Sequence, residues 1–363
     1  MQFTVQQIAD ALGAECQGDT GLTIVRAAEP GDAGPMDLAM AMAPKYAEAL
    51  SNGDARVAVL WENADWQALG LRAAIFVPRP RMAMAGITAM LDRGQGIEPG
   101  IHPSAVIDPT AEIAPNASVG PLAVVGARVR IGSGAIIGAH CVIGTDAVLG
   151  DNAVLREMVS IGARAQIGDR FIAQPGARIG SDGFSFVTPE VSGVENVRKT
   201  LGDQGDAKAQ NWLRIHSLGA VEIGDDVEVG ANCTIDNGTI RNTCIGSGSK
   251  VDNLVHVGHN TRVGQDCLLC GQTGVSGSVE IGNNVVLGGQ TGVVDNIFIG
   301  DGVIAGGGTK ILSNVPAGRV IMGYPGIKME THTDIYKAQR RLPRLTRDVE
   351  ALKKAVFKQP PSD

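Results

Sequence analysis

The stretch IHPSAVIDPTAEIAPNASVGPLAVVGARVRIGSGAIIG, residues 101–138, carries an aliphatic residue at every sixth position. The period continues to residue 179 with one break at Ala173, and a second run spans residues 245–311. A small residue stands two places before most of the aliphatic ones, with Phe171 as an exception. A unit of six residues is too short for a helix pair or a propeller blade, but it fits one short strand and a turn. The pattern therefore predicts a parallel β-helix built from hexapeptide repeats.

Three such units close one triangular coil, with the aliphatic and small side chains inside. The two runs predict roughly nine or ten coils and, at about 4.8 Å per coil, a prism about 45 Å tall. Glycine frequently follows the aliphatic residue, and we assign to it the positive φ that the turn needs. Three cysteines fall on inward small positions and are expected to be core residues: Cys141, Cys233 and Cys267.

The regions around the repeat differ from it in kind. Residues 1–100 mix helical and strand patterns and predict a small α/β domain. Residues 101–327 form the β-helix, interrupted at 181–218 by a polar insertion that must loop outward. Residues 328–363 are helical in composition and predict C-terminal helices with an apolar stripe at coiled-coil spacing: Leu345, Val349, Leu352 and Val356.

Composition narrows the class of protein. The 363 residues are 44% hydrophobic and 19% charged, which excludes a disordered chain. A net charge of −7 argues against a nucleic-acid binder. The N-terminus lacks the basic start and apolar run of a secretory signal, and no charge-free stretch is long enough to span a bilayer. We therefore expect a cytoplasmic protein without a transmembrane segment.

Stacking converts a separation of three hexapeptides into a column on one face. His259 aligns with Gly277, and His256 aligns with Gly274, so each histidine has bare backbone beside it. A repeated GQTG aligns two glutamines, Gln272 and Gln290. We interpret these columns as a groove on the outer surface; the alternative is that the glycines only serve turns.

The histidine pair is the candidate for chemistry. An imidazole that titrates near neutral pH can accept a proton from an attacking nucleophile, although a purely structural pair is the alternative. A zinc site of the carbonic anhydrase type would need a third imidazole nearby, yet His140, His216 and His332 lie in no adjacent column. We therefore predict no metal.

Several motifs together resemble one family, the UDP-3-O-(3-hydroxyacyl)glucosamine N-acyltransferases, over nearly the whole chain. They are IHPSAVIDPTAEI, GSDGFSF, CTIDNGTI, VHVGHN, GQTGVSGSVEIG and IMGYP. The resemblance implies a left-handed β-helix, a homotrimer, His259 as the general base and Asp252 as a polar partner. It also implies that a 3-hydroxyacyl chain arrives on the phosphopantetheine arm of acyl carrier protein, so that the enzyme itself holds no cofactor.

The sequence departs from the family at two places. Asn296 stands where the family commonly has a second histidine. In the segment MAMAPKY, Met40 and Ala43 replace an aromatic residue and an amide that contact the nucleotide, whereas Lys45 and Tyr46 are retained. The resemblance and the columns together give these candidates for substrate binding: Lys45, Tyr46, His256, Gln272, Gly274, Gly277, Gln290 and Asn296.

The tail supplies a local cationic surface. Residues 328–358 contain nine Lys or Arg against four Asp or Glu. This stretch is expected to dock the acidic acyl carrier protein, unless it is only a solvated face. Two other functions remain open at this stage: an O-acyltransferase acting on UDP-GlcNAc, or another hexapeptide-repeat acyltransferase, and a non-catalytic solenoid that binds a ligand.

Overall fold

The computed structural model describes residues 2–94, 96–200, 202–323 and 326–357. The described residues divide into two compact units, Met1–Gly96 and Ile97–Asp363. Tyr324 and Pro325 of the IMGYP motif, and residues 358–363 of the predicted tail, lie outside the described residues.

The N-terminal unit is an α/β structure. Its strands are β1 (Phe3–Thr4), β2 (Glu15–Gly18), β3 (Thr23–Ile24), β4 (Arg26–Ala28), β5 (Asp37–Ala41), β6 (Val57–Leu60) and β7 (Ala73–Phe76). Five of these strands form one sheet in the order β2-β7-β6-β5-β4. Its α-helices are α1 (Val5–Leu12) and α2 (Pro80–Leu91), and its short 3-10 helices are Pro30–Asp32, Pro44–Tyr46 and Glu48–Asn52.

Strand composition explains this sheet. All four residues of β6 and of β7 are buried, as is usual where a parallel strand is covered on both faces. Helix α1 begins at a capping box in which Thr4 and Gln7 satisfy each other's backbone N–H groups. The predicted mixture of helix and strand in this region is therefore one layered domain.

The C-terminal unit is the β-helix. Before the insertion its strands are β8 (Gly100–Ile101), β9 (Val106–Ile107), β10 (Glu112–Ile113), β11 (Ser118–Val119), β12 (Val124–Val125), β13 (Arg130–Ile131), β14 (Ile136–Ile137), β15 (Val142–Ile143), β16 (Val148–Leu149), β17 (Val154–Leu155), β18 (Ser160–Ile161), β19 (Gln166–Ile167), β20 (Ile172–Ala173) and β21 (Arg178–Ser181). The insertion holds β22 (Phe186–Val187), α3 (Gly193–Thr200) and β23 (Leu213–Arg214).

After the insertion come β24 (Val221–Ile223), β25 (Glu228–Val229), β26 (Thr234–Asp236), β27 (Thr243–Ile245), β28 (Lys250–Val251), β29 (His256–Val257), β30 (Arg262–Val263), β31 (Leu268–Leu269), β32 (Gly274–Val275), β33 (Glu280–Ile281), β34 (Val286–Leu287), β35 (Gly292–Val293), β36 (Phe298–Ile299), β37 (Ile304–Ala305), β38 (Lys310–Ile311) and β39 (Val320–Ile321). Over the described residues these strands stack into three parallel sheets of eleven, ten and nine strands. The predicted fold class, a left-handed parallel β-helix with a small α/β domain, is confirmed.

The register explains both irregularities of the period. Regular partners are three hexapeptides apart, as in Glu112 and Arg130. Gln166 pairs with Glu222 instead of with position 184, so a segment as long as 181–218 leaves the coil. Glu222 then pairs with Cys244 instead of with position 240. Four further residues are therefore inserted into the coil between β26 and β27.

The glycines after the aliphatic residues have a different purpose from the one predicted. In the coils, with Gly180 as an exception, positive φ falls three places after the aliphatic residue, at positions such as Leu122 and Arg128. A Cβ added to Gly138 would lie 2.8 Å from the carbonyl oxygen of Leu155 in the next coil. These positions require glycine because the next coil leaves no room for a side chain. The prediction that these glycines adopt positive φ was wrong.

The three cysteines assigned to the core lie in it. Cys141, Cys233 and Cys267 are fully buried. Burial raises the pKa of the Cys141 thiol to about 11, which keeps it protonated and unreactive at neutral pH.

The tail forms one helix, α4 (Met329–Val356), rather than several helices. None of its residues is buried, and the predicted apolar stripe is exposed. No helix in the described part of the chain combines the length and the apolar character needed to cross a bilayer.

Candidate active site

The two histidines lie on one wall of a cavity of about 750 Å³. His256 is the outward residue of β29, and His259 follows in the turn. Strand pairing places Thr234 on one side of His256 and Gly274, Gly292 and Lys310 in succession on the other. The predicted column is thus present. The cavity is lined by Phe184, Ser185, Phe186, Asp236, His256, Gly258, His259, Gly274, Val275, Ser276, Gly277, Ser278, Gly292, Val293, Val294, Asp295, Asn296, Lys310 and Leu312.

The insertion forms one side of this cavity. The rings of Phe184 and Phe186 meet edge to face at 5.0 Å, and the guanidinium of Arg214 lies 5.0 Å from the centre of the Phe186 ring. Arg214 also approaches Asp182 at 3.7 Å. The outward loop predicted from sequence therefore contributes directly to the histidine site.

Two glycines lie against the His259 side chain. A Cβ on Gly183 of the insertion would lie 2.8 Å from Cβ of His259, and one on Gly277 would lie 2.7 Å from its Cε1 and Nε2. No larger residue fits at either position without moving the imidazole. The Nδ1 atom of His259 is buried and has no hydrogen-bond partner among the residues that the structure describes.

We expect Gly277→Ala to lower kcat about 100-fold, because displacement of a reacting group by about 1 Å costs that much. Steady-state turnover kinetics measure the effect. Gly306→Ala is the matched control, since its Cβ would meet its nearest neighbours only at 3.6 Å and beyond. Wild-type kcat in Gly277→Ala would show that the position of His259 does not matter.

A buried carboxylate completes the cluster. Asp236 ends β26 and is 6% exposed. Its Oδ2 lies 3.8 Å from Nε2 of His256, whose Nδ1 is 2.8 Å from the Thr234 hydroxyl. Burial raises the pKa of Asp236, against the opposing influence first of His256 and then of His259. Sequence reasoning missed Asp236 because its strand pairs with β29 at a spacing of 22 residues, Thr234 with His256, instead of the regular 18.

The structure does not bring all the other site residues predicted from sequence together. Gly274, Gly277 and Asn296 line the histidine cavity, where the Asn296 amide donates to Asp295 at 2.9 Å. Gln272 and Gln290 bond to each other at 2.9 Å and are not among the described residues lining it. The glycines aligned with the two histidines therefore line a cavity, and the glutamine column lies outside it within one chain.

Asp252 lies at a second cavity beside Lys250 and Leu268. Its carboxylate accepts hydrogen bonds from the backbone N–H groups of Asn253 and Gly271, at 2.7 and 2.8 Å. Within one chain it does not reach the cavity of His259.

The candidates for nucleotide binding lie in the N-terminal unit. Lys45 and Tyr46 belong to the 3-10 helix Pro44–Tyr46, and the Lys45 ammonium lies 4.8 Å from the centre of the Tyr46 ring. Tyr46 is 42% exposed, so part of its ring is open to a ligand.

Within the described ranges, no three His, Cys, Asp or Glu side chains are arranged to hold a metal ion. The cavity offers two imidazoles, a buried carboxylate and glycine backbone. Such groups suit general acid–base catalysis.

A hexapeptide β-helix with a histidine in a surface cavity defines the class of hexapeptide-repeat acyltransferases. The crystal structure of an Arabidopsis UDP-N-acetylglucosamine acyltransferase has this fold, with a TM-score of 0.50 and 20% identity over 73% of this chain and 85% of that one. No family model matches the sequence.

Two sequence relatives are more specific. The UDP-3-O-acylglucosamine N-acyltransferase of Ruegeria pomeroyi is 78% identical over all 363 residues of both chains. That of Paracoccus denitrificans is 65% identical over 99% of this chain and 98% of its own. The chain belongs to the UDP-3-O-acylglucosamine N-acyltransferase family and is an acyltransferase.

Proposed function

We propose that this enzyme transfers a 3-hydroxyacyl chain from acyl carrier protein to the 2-amine of UDP-3-O-acylglucosamine, a step of lipid A biosynthesis, with His259 as general base. The observation that carries the proposal is the position of the His259 imidazole, which Gly183 and Gly277 fix at a cavity. The similarity of the chain to a UDP-3-O-acylglucosamine N-acyltransferase supports the choice of acceptor. The reaction takes place in the cytoplasm; the six unpaired cysteines support a reducing compartment.

The chemistry is an acyl transfer without a resident cofactor. The amine nitrogen forms a bond to the thioester carbonyl carbon while His259 accepts the proton that the nitrogen loses. Backbone N–H groups of the cavity stabilise the tetrahedral oxyanion by hydrogen bonds. The carbon–sulfur bond then breaks, and the phosphopantetheine thiol leaves with the proton returned by His259. His256, Gly274, Gly277 and Asn296 contact the reacting ends, whereas Lys45 and Tyr46 hold the nucleotide.

The enzyme acts as a homotrimer, and its sites are shared between subunits. Asp252 lies at another cavity within one chain, so it would take part in the site only from a neighbouring subunit, together with Gln272 and Gln290. The exposed apolar stripe of α4 supports assembly.

We expect subunit mixing to restore activity to two inactive variants. Co-expressed His259→Ala and Asp252→Ala chains should recover about a quarter of wild-type activity, because about three quarters of random trimers are mixed and each of these has one intact site of three. Separately purified variants that are mixed without exchange are the control. Activity no higher than that of this control would place both residues in the same subunit's site, or Asp252 outside it.

Helix α4 is the docking surface for the carrier protein. Four arginines lie within eight residues on this exposed helix: Arg340, Arg341, Arg344 and Arg347. Such a surface attracts an acidic partner, so association should weaken as ionic strength rises.

The acceptor substrate distinguishes the N-acyltransferase reaction from the O-acyltransferase reaction. Purified enzyme should form an amide from 3-hydroxyacyl carrier protein and UDP-3-O-acylglucosamine, and no ester from UDP-GlcNAc. Hydroxylamine distinguishes the products, since it cleaves the ester and leaves the amide. Product from UDP-GlcNAc alone would favour the O-acyltransferase; no product from either acceptor, over several acyl chain lengths, would overturn both assignments.

A further inference from the structure

Asp236 is a buried carboxylate for which the proposed reaction has no role so far. Burying a charge is costly unless charged or polar partners compensate it. Its side chain is 8% exposed, whereas that of its neighbour His256 is 47% exposed. The carboxylate is therefore shielded from solvent, whereas the imidazole beside it is half exposed.

The insertion is fastened to the same strand end. A backbone hydrogen bond from Phe184 reaches the Asp236 carboxylate. The next residue, Asn237, donates from its backbone to Ser181 at 2.7 Å and from its amide to Gly180 at 2.9 Å. Ser217 closes the segment by accepting a hydrogen bond from Gly183, the residue that packs on the His259 ring. The end of β26 thus binds the insertion, and the insertion packs against His259.

Several charged or titratable groups face this carboxylate. His256 and His259 come from β29 and its turn, and Asp182 comes from the insertion, where Arg214 accompanies it. Asp295 and Lys310 line the same cavity. An imidazole is a cation only when it is protonated.

We propose that Asp236 is a positioning residue that anchors segment 182–186 against His259 and whose negative charge stabilises the protonated forms of His256 and His259. This inference depends on the proposed function only where it predicts an effect on turnover. During acyl transfer His259 becomes an imidazolium, and a fixed carboxylate in a poorly hydrated site lowers the energy of that state.

The Asp236→Asn variant tests the negative charge of the side chain separately from the anchoring of segment 182–186. The amide oxygen can still accept the Phe184 hydrogen bond, but the negative charge is lost. Because a nearby negative charge favours protonated imidazole, its removal should move the titration midpoint of His256 to lower pH by about half to one pH unit. The acid limb of the kcat/KM profile should move in the same direction, with kcat lowered about tenfold and the KM for the nucleotide acceptor unchanged.

Two readouts test this on the intact enzyme. NMR of the imidazole Cε1–H groups gives the midpoints without turnover, and the pH profile of amide formation gives the consequence. Asp301→Asn is the matched control, because this exposed carboxylate accepts the Asn283 N–H at 2.7 Å outside the cavity. Its titrations and profile should equal those of wild type. Asp236→Glu, which keeps the charge, should retain the wild-type acid limb.

Unchanged imidazole midpoints in a folded Asp236→Asn enzyme would overturn the proposal. Shifted midpoints in an enzyme whose wild type forms no amide would instead overturn the proposed function and leave the charge coupling standing. If the variant does not fold, the ¹³C carboxyl signal of Asp236 in wild type provides the test. It should respond at the pH where the imidazoles titrate, and a single step far below that pH would contradict the coupling.

Discussion

Replacing His259 with alanine is expected to lower kcat for amide formation by about 10²–10⁴-fold, the usual contribution of a positioned general base. The loss should appear in kcat rather than in the KM of either substrate, because the imidazole accepts its proton only as the bond forms. Single-turnover assays with excess enzyme measure the chemical step directly. Circular dichroism and the mass of the assembly should be those of wild type, since His259 lies at the surface of the coil.

His102→Ala is the matched control for this loss. His102 is exposed, and its Nδ1 lies 2.9 Å from the Ser104 hydroxyl at the start of the β-helix, so its removal should leave turnover unchanged. If His259→Ala also kept wild-type turnover, the histidine would be incidental. Acyl transfer would then have to depend on another group of the cavity, such as His256.

Phe171→Ala is expected to destabilise the β-helix by about 3–5 kcal/mol, the usual cost of truncating a buried phenylalanine. Phe171 is fully buried, and it stands at a position where the repeat otherwise carries small residues. Urea unfolding followed by the strand signal, at fixed protein concentration, gives the change. Two coils should be left with a cavity that their rigid stacking cannot close.

The same substitution at Phe184, which is 85% exposed, is the control for stability and should cost less than about 1.5 kcal/mol. Equal losses from both variants would show that burial inside the coil is not what makes Phe171 costly. The experiment also tests how far the interior is closely packed.

Phe171 illustrates how the sequence pattern works. The sequence shows two exceptions to the repeat, a large residue at 171 and a small one at 173. The structure places both inside one coil at strand β20, each with no exposed surface. Alternation of strand side chains turns positions two apart inward together, so the phenylalanine occupies volume that Ala173 leaves. Each exception is visible in the sequence, but their compensation is visible only in the packed coil.

Asp236 and Asp252 show the opposite limit. Asp252 was assigned near the base by resemblance, yet within one chain it lies at another cavity. Asp236 was not selected, yet it lies 3.8 Å from His256. Counting in steps of three hexapeptides finds neighbours only while the coil is regular, and an insertion of four residues before β27 breaks that count. Side chains on different faces of a prism can share a site only through a second subunit.

The sequence by itself determined the fold, the place of the insertion and the histidine pair, because a period of six leaves one way to bury one residue in three while pairing every strand. It also indicated the family through its motifs. The tertiary structure decided which residues surround the base: Gly183 from the insertion, Gly277 from the next coil and Asp236 from the preceding one. These contacts depend on the height of an irregular coil and the path of the loop 181–218, and both are set by packing between residues far apart in the chain rather than by local pattern.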